Sequence, residues 1–222
     1  MNRHIVKVLK SDFVTHNVKR FVVEKPEGYS FVAGQATDIA INRPSLENEL
    51  RPFTFTCLNE AGHLEFIIKI YKGHDGMTEK LDEVNAGDEL ILHEVFGTIS
   101  YKGPGLFIAG GAGITPFIAI LRQLQLRNEL SGITLLFGNR TADDIILHDE
   151  LKDILQDKFI NVLEITDDPG MKKGFINSEL LKQYLRGGDQ YCYVCGPDKF
   201  TAIMVEKLLE LGVPKSQIII EQ

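Results

Sequence analysis

The sequence has few cysteines, no block of basic residues and no apolar run long enough to span a bilayer. Three cysteines in 222 residues, without framework spacing, exclude a disulfide-stapled domain and predict reduced thiols in a cytoplasmic protein. The net charge of −7 is shared by both halves, so nucleic acid is not an expected partner. The longest nearly apolar stretch, GLFIAGGAGITPFIAIL, is broken by glycines and Pro116, and the N-terminal MNRHIVKVLKSDF lacks the apolar core of a signal peptide.

The first half of the chain has the rhythm of short strands. Apolar and polar residues alternate in runs that are separated by turn signals such as Pro26-Glu27-Gly28, and one short helix is indicated over residues 78–84. Six strands without a long helix between them are typical of an antiparallel barrel or sandwich. The predicted strands cover residues 4–11, 18–25, 36–42, 52–58, 64–71 and 88–95.

The second half, after Lys102 to Gly105, alternates buried-strand runs with longer helical runs. The pattern βαβαβαβαβ predicts a five-stranded parallel sheet with helices on both faces, and hence two domains, residues 1–101 and 102–222. Four of these strands end in AGGAGITP, FGNR, ITDD and VCGP. Because open parallel sheets bind ligands at the carboxyl ends of their strands, these small and polar ends predict a ligand crevice.

The glycine-rich turn AGGAGITP, residues 109–116, lies between a predicted strand and a predicted helix. Glycines let a phosphate approach backbone N–H groups at the positive end of a helix, and Thr115 followed by Pro116 is typical of a helix start. Counted from Gly111, the sixth position of the strict dinucleotide fingerprint is Pro116 instead of Gly or Ala, so that fingerprint fails. A tight turn that needs small residues only for packing is the alternative.

The segment CYVCGP contains a Cys-x-x-Cys spacing that is often associated with redox or metal chemistry. On an extended strand, however, the Cα atoms of Cys192 and Cys195 would lie roughly 10 Å apart with their side chains on opposite faces. A disulfide requires less than about 7 Å, so structural packing is the better interpretation of Cys192, and no metal is expected. Cys195 differs, because it ends the strand beside Gly196-Pro197 and faces the predicted crevice.

Two further segments carry groups suited to phosphates and flat rings. In Arg51-Pro52-Phe53-Thr54, Arg51 offers a bidentate fork for a pyrophosphate, Phe53 a ring, and Thr54 a hydroxyl on the opposite pleat. Gly76-Met77-Thr78 opens the short predicted helix, where free N–H groups suit a second phosphate. The alternatives are a solvated arginine before a core strand and an ordinary helix start.

Taken together, these motifs resemble the ferredoxin–NADP reductase superfamily, close to its bacterial flavodoxin/ferredoxin reductase-like and cytochrome b5 reductase-like members. The resemblance runs from Gly34-Gln35 to Glu221, nearly the whole chain. It implies a six-stranded antiparallel β-barrel that binds FAD, rather than FMN, followed by a Rossmann-like domain that binds NADH or NADPH. The matching motifs are Arg51-Pro52-Phe53-Thr54, Gly76-Met77-Thr78, Gly110, Gly111, Ala112, Gly113, Ile114, Thr115 and Pro116, and Cys195-Gly196-Pro197.

The resemblance also implies a role for each site residue. Arg51 would pair with the FAD pyrophosphate, and Phe53 would pack along the isoalloxazine or ribityl. Three residues are implied as catalytic: Thr54 near flavin N5, and Thr115 and Cys195 beside the nicotinamide. The other implied contacts are the N–H groups of Gly76, Met77 and Thr78 on the pyrophosphate, Lys69, Ile70 and Tyr71 along the FAD, and Asn139, Arg140, Thr166 and Asp167 at the adenosine end.

The implied function is hydride transfer from NAD(P)H to FAD N5, followed by electron transfer to an acceptor such as a flavodoxin or ferredoxin. Arg140 is the single cation expected near the adenosine ribose, among Asp143, Asp144, Asp167 and Asp168, which favours NADH unless Lys172 and Lys173 fold back. The alternatives are an electron-transfer subunit of a larger complex and a flavin-binding module without turnover.

Several features depart from the family pattern. Phe53 and Thr54 stand where the family more often has Tyr and Ser. The final IIIEQ lacks the terminal aromatic that covers the flavin in several members, which predicts easier access to the flavin, and leaves the role of Glu221 open. Lys72 and Lys80 are expected to form a small basic patch near the flavin edge.

Overall fold

The computed structural model describes residues 3–73, 75–97 and 99–221, and its first half is a single antiparallel sheet. The strands are β1 (His4–Thr15), β2 (Val18–Glu24), β3 (Gln35–Ile41), β4 (Arg51–Thr54), β5 (His63–Lys69) and β6 (Glu89–Gly97). Their order is β4-β3-β6-β1-β2-β5. The chain just after β4 meets β5, because Thr56 N donates to Glu65 O at 2.9 Å, so the edge strands approach each other.

Alternation along these strands fills the barrel. Phe21 and Val23 on β2, and Leu64 and Phe66 on β5, are fully buried in one apolar cluster, since every second side chain of a strand points inward. The short helix α1 (Met77–Lys80) adds Met77 to the same cluster. The predicted six-stranded antiparallel barrel with one short helix is confirmed.

The second half is a parallel sheet flanked by four helices. Its strands are β7 (Gly105–Gly110), β8 (Thr134–Asn139), β9 (Phe159–Leu163), β10 (Lys172–Lys173), β11 (Tyr191–Cys195) and β12 (Ile218–Ile220). The helices are α2 (Thr115–Leu126), α3 (His148–Leu155), α4 (Ser178–Tyr184) and α5 (Asp198–Glu210). The strand order is β10-β9-β8-β7-β11-β12, and every pair is parallel.

The predicted count of five parallel strands was wrong by one. The additional strand β10 consists only of Lys172 and Lys173, which pair with Val162 and Leu163 of β9. Both lysines are exposed, so no burial pattern marks them in the sequence. Two charged residues are too few to produce the period-2 signal on which the prediction depended.

The barrel packs against the sheet through α2. Val18, Ala33, Ile67 and Ile99 of the barrel half belong to the same buried cluster as residues of α2 such as Phe117. Helices α4 and α5 cover the opposite face of the sheet with a separate cluster. None of the helices within the described residues is long and apolar enough to cross a membrane.

The connection between the two halves is held by one tyrosine. The Tyr193 hydroxyl donates to Gly103 O at 2.7 Å and lies within 3.0 Å of the Lys102 and Gly103 N–H groups. Its ring stacks on Phe107, with centroids 4.3 Å apart. Since Tyr193 belongs to β11, the segment that leaves the barrel is fixed to an inner strand of the parallel sheet.

Candidate cofactor site

A cavity of about 920 Å³ lies where β4 and β5 of the barrel face the carboxyl ends of β7, β8 and β11. Its volume is within the range of ordinary ligand pockets. From β7 the chain adds β8, β9 and β10 on one side of the sheet, and then crosses to the other side of β7 to add β11 and β12, so the strand order reverses at β7. Ligands of open parallel sheets bind at such a reversal of strand order, so the fold itself places a crevice here.

Most of the predicted site residues line this cavity, although they come from both halves of the chain. The barrel supplies residues of β4 and β5, and the parallel sheet supplies the glycine-rich turn and the ends of β8 and β11. The predicted residues that line it are Pro52, Phe53, Thr54, Lys69, Tyr71, Thr78, Gly110, Gly111, Ala112, Gly113, Thr115, Asn139, Arg140, Cys195, Gly196 and Pro197.

The other predicted residues lie elsewhere. Arg51 is exposed, and its guanidinium donates to Leu50 O at 2.7 Å. Thr166 and Asp167 lie in a loop after β9, where the Thr166 hydroxyl accepts from Asp168 N at 3.1 Å. Gly76 is half-buried just before α1, whereas the side chains of Ile70, Met77 and Pro116 are buried. The roles of these seven residues stay predictions.

Two of the predicted catalytic hydroxyls meet at the junction of the domains. Thr54 Oγ1 on β4 donates to Thr115 Oγ1 at the start of α2, at 2.9 Å. Thr115 in turn donates to Ala112 O at 3.1 Å, so its hydrogen is used within the glycine-rich turn. We call the contact of β4, β5 and residues 55–57 with α2 the seam, and Thr54 with Thr115 its front.

The glycine-rich turn depends on the absence of side chains. A Cβ on Gly113 would lie 2.4 Å from Cys195 O and 2.5 Å from the Gly196 Cα, both backbone atoms. Gly111 has a φ of +51°, in the left-handed region that favours glycine. The turn therefore brings the end of β7 against the end of β11 directly before the N-terminus of α2, an arrangement suited to a phosphate group.

Cys195 and Cys192 lie on opposite faces of the sheet, as predicted. The Cys195 thiol, at the cavity, donates to Glu221 Oε2 at 3.5 Å. Burial, together with the negative charge of Glu221, raises the pKa of this thiol, so it stays protonated at neutral pH. Burial raises the pKa of Cys192 to about 12, which fits packing rather than redox chemistry. All three cysteines are free thiols.

Asn139 gives a direct test of whether this cavity suits a polar cofactor. Asn139 is 7% exposed and lines the cavity, and neither Oδ1 nor Nδ2 of its side chain has a partner among the described residues. A buried amide without hydrogen bonds is costly, so a ligand with its own donors and acceptors would stabilise it. The ribose, amide and phosphate groups of a flavin or nicotinamide dinucleotide meet this requirement, and the residues present fit such a cofactor.

The sequence interpretation missed part of the cavity lining. Lys199, Ile203 and Lys207 of α5 line the cavity at a spacing of four residues, which marks one face of a helix. This spacing is visible in the sequence. Arg140 is therefore not the single cation at the cavity, whereas Lys172 and Lys173 are not among its lining residues.

The expected basic patch at Lys72 and Lys80 is offset by acids. Lys72 pairs with Asp82 at 3.1 Å, and Lys80 pairs with Asp75 at 2.5 Å. Exposed pairs of this kind contribute little to stability, but they cancel the local charge. These two lysines therefore form no strongly positive surface for an acidic partner.

Comparisons with known proteins agree with this architecture. A model of the oxidoreductase FAD-binding domain matches residues 5–101, and a model of the oxidoreductase NAD-binding domain matches residues 107–206. NADH-cytochrome b5 reductase 2 of Aspergillus oryzae is 30% identical over 254 residues, which cover 96% of this chain and 76% of that protein. The reductase component of propane 2-monooxygenase from Rhodococcus jostii is 31% identical over 216 residues, or 90% of this chain. This chain spans only 57% of the length of that reductase component.

The fold itself is shared with solved structures. A ferredoxin NADP+ reductase from Neisseria gonorrhoeae, with bound FAD and NADP, superposes with a TM-score of 0.85. The match covers 99% of this chain and 98% of that one, at 20% sequence identity. At this level of identity the likeness supports the two-domain fold.

Proposed function

The chain belongs to the ferredoxin–NADP reductase and cytochrome b5 reductase-like superfamily, and from that premise we propose that it transfers a hydride from NADH to FAD at the front of the seam. It is an oxidoreductase with an FAD-binding and an NAD-binding domain. In the proposal the first domain is residues 1–101 and the second is residues 102–222. FAD, when bound, supplies the hydride-accepting N5 and the ability to release electrons singly or in pairs.

The observation that carries the proposal is the contact between Thr54 and Thr115 at 2.9 Å. It brings a barrel hydroxyl and a hydroxyl of the nucleotide turn to one point beside the cavity. Hydride transfer requires reacting atoms about 3–3.5 Å apart, so small side chains suit this position. Thr54 would turn its hydroxyl hydrogen from Thr115 to flavin N5, and Thr115 and Cys195 would flank the nicotinamide.

The Cys195 thiol is a protonated group held at the cavity by Glu221. In the proposal it orients the nicotinamide and acts as a hydrogen-bond donor rather than as a nucleophile, because the thiolate is disfavoured by burial. Glu221 would fix the direction of the thiol hydrogen. This assigns Glu221 a positioning role through Cys195.

The proposed FAD contacts lie along the barrel. Phe53 and the ends of β5 around Lys69, Ile70 and Tyr71 would pack along the ring and ribityl. The N–H groups of Gly76, Met77 and Thr78 would hold the pyrophosphate. Arg51 would join them by turning from Leu50 O, a change that its exposure permits.

The dinucleotide would lie across the parallel strands. Its pyrophosphate would contact the glycine-rich turn, Gly110, Gly111, Ala112 and Gly113. Pro116, in the first turn of α2, would also contact the dinucleotide. Asn139, Arg140, Thr166 and Asp167 would contact the adenosine half, with Gly196 and Pro197 near the nicotinamide. We propose NADH as the preferred donor, which is supported by the name of the Aspergillus relative and by Asp144 and Glu164 at the cavity.

The proposed acceptor is another redox protein, either a cytochrome b5, as the relative's name suggests, or a ferredoxin or flavodoxin. A second candidate, favoured by the 31% identity to the propane 2-monooxygenase reductase component, is the reductase of an oxygenase system. The proposal also places the protein in a reducing compartment such as the cytoplasm, which the three free thiols support.

Reconstitution with FAD followed by anaerobic titration tests the proposal. We expect a yellow protein whose flavin absorption is bleached by one equivalent of NADH, with a higher kcat/KM for NADH than for NADPH. A yellow protein that neither nicotinamide bleaches would instead indicate a flavin-binding module without turnover. A strong preference for NADPH would overturn the assignment of the donor.

A further inference from the structure

We propose that Arg122 is a positioning residue that fixes the barrel against the parallel-sheet domain, and thereby sets the approach of nicotinamide to flavin. The inference rests on the proposed function. We call Arg122 and its partners Thr56, Glu65 and Glu150 the clamp, and they form the back of the seam. Thr56 and Glu65 belong to the barrel half, whereas Arg122 lies in α2 and Glu150 in α3.

Four hydrogen bonds of the clamp converge on the Arg122 guanidinium. Arg122 Nη1 donates to Thr56 O at 2.7 Å and to Glu65 Oε1 at 2.6 Å. Arg122 Nε and Nη2 donate to the two oxygens of Glu150, at 2.6 and 2.9 Å. The Thr56 hydroxyl also donates to Glu65 Oε1 at 2.8 Å. Nε and Nη2 of Arg122 therefore bind Glu150 within the parallel-sheet domain, while Nη1 binds Thr56 and Glu65 of the barrel.

The front and the back of the seam share the same two elements. Thr115 and Arg122 are seven residues apart in α2, nearly two full turns, so both lie on one face about 10.5 Å apart. Their barrel partners, Thr54 and Thr56, are two residues apart in the chain. Helix α2 is thus attached at two points, to the last residue of β4 and to the segment that follows it, and Arg122 fixes the direction of the helix relative to Thr54.

The clamp is mostly withdrawn from solvent. The side chains of Arg122 and Glu65 are only 19% and 10% exposed, and Glu150 is 36% exposed. Burial disfavours the guanidinium charge, but the hydrogen bonds to Glu150 and the charge of Glu65 outweigh this and raise the pKa of Arg122. The arginine therefore stays charged, and removing it would leave the buried Glu65 carboxylate without its hydrogen-bonded cation.

The clamp fixes the relative orientation of the two domains, which the apolar part of the interface does not. Barrel residues such as Val18, Ala33, Ile67 and Ile99 pack in the cluster shared with α2, and apolar burial is non-directional. A guanidinium fork bound to carboxylates has a defined geometry. Without it the domains would still adhere, but their relative orientation would be less fixed. Because a misplacement of about 1 Å can cost about a hundredfold in rate, hydride transfer would respond more strongly than cofactor binding.

The test uses the holoenzyme and three variants. Arg122→Met with Glu65→Gln removes the barrel contact without stranding a buried carboxylate. Arg122→Lys keeps the charge but loses the fork. The matched control is Arg43→Met with Asp88→Asn, which removes an ion pair of 3.1 Å that lies wholly within the barrel.

We expect Arg122→Met/Glu65→Gln to lower the limiting rate of flavin reduction by NADH about tenfold in anaerobic stopped flow. Dissociation constants for FAD and NADH should change less than about threefold, since no clamp residue lines the cavity. In the apoprotein, amide hydrogen exchange should quicken in α2 and β5, as a loosened seam requires. The control should change neither the rate of flavin reduction nor the rate of amide exchange. Arg122→Lys should give a reduction rate between those of the control and the double variant.

A reduction rate within about twofold of wild type in the double variant, or a control that slows equally, would overturn the proposal. If the double variant does not fold, Arg122→Lys decides: a wild-type rate with unchanged exchange would contradict the need for the fork. Failure of the wild type to be reduced by NADH would count against the proposed function instead, because the exchange measurement tests the clamp without cofactor.

Discussion

The front and the back of the seam hold the same two domains together by different means. At the front, Thr54 and Thr115 share one hydrogen bond of 2.9 Å beside a cavity of about 920 Å³. At the back, Arg122 makes four hydrogen bonds of 2.6–2.9 Å to Thr56, Glu65 and Glu150. The front is small and open, and the back is charged and closely bonded.

The difference teaches how a site between two domains can be both open and well defined. Small residues at the front leave room for two flat rings, but a single neutral hydrogen bond contributes only about 0.5–1.5 kcal/mol. Charge-assisted bonds at the back are roughly twice as strong and more directional. The back can therefore keep the geometry that the front needs for chemistry.

The largest expected effect at the front follows from Gly113→Ala. The new Cβ would meet backbone atoms of Cys195 and Gly196, which cannot turn aside as a flexible side chain would. We expect the free energy of unfolding to fall by about 1–3 kcal/mol. We expect kcat/KM for NADH to fall about a hundredfold, because the ends of β7 and β11 would separate.

Gly62→Ala is the control, since a Cβ there meets nothing within 4 Å. Thermal unfolding would give the stability of both variants, and steady-state kinetics would give their kcat/KM for NADH. Equal, small effects in the two variants would show that the turn is not tightly constrained.

A smaller effect is expected on NADH affinity, and a comparison of two buried asparagines separates a role in NADH binding from a role in packing. Asn139 and Asn161 are both 7% exposed and both have unpaired amide atoms, but only Asn139 lines the cavity. We expect Asn139→Ala to weaken NADH binding about tenfold while leaving the stability of the apoprotein within about 1 kcal/mol.

Asn161→Ala should leave NADH affinity unchanged. Calorimetric titration with NADH and thermal unfolding of the apoprotein would compare the two variants. The same affinity loss in both, or none in either, would contradict the assignment of Asn139 to the dinucleotide.

The sequence was sufficient for the barrel and for the front of the seam. Period-2 alternation marks the six barrel strands, and the glycines before Thr115 mark the nucleotide turn, because both signals are local. Cys195 could be placed at the crevice from its position at a strand end. Strand β10 was missed, since Lys172 and Lys173 are exposed and too short a run to carry a period.

The back of the seam could not be predicted in this way. Arg122 in a helix is typical of a solvated face, and its carboxylate partners are 57 and 28 residues away in the chain. Long-range pairs of this kind leave no spacing signal. Arg51 shows the opposite case, because its motif is local but its side chain lies away from the cavity lining.

The central claim is that hydride passes at the front of the seam, beside Thr54. The most direct measurement compares Thr54→Ala with wild type in two quantities, the limiting rate of flavin reduction by NADH and the FAD dissociation constant. We predict that the rate falls about fivefold, as loss of one hydrogen bond implies, while FAD binding changes less than about twofold, and that Thr54→Ser restores the rate. Equal losses in both quantities, or an unchanged rate, would contradict the claim.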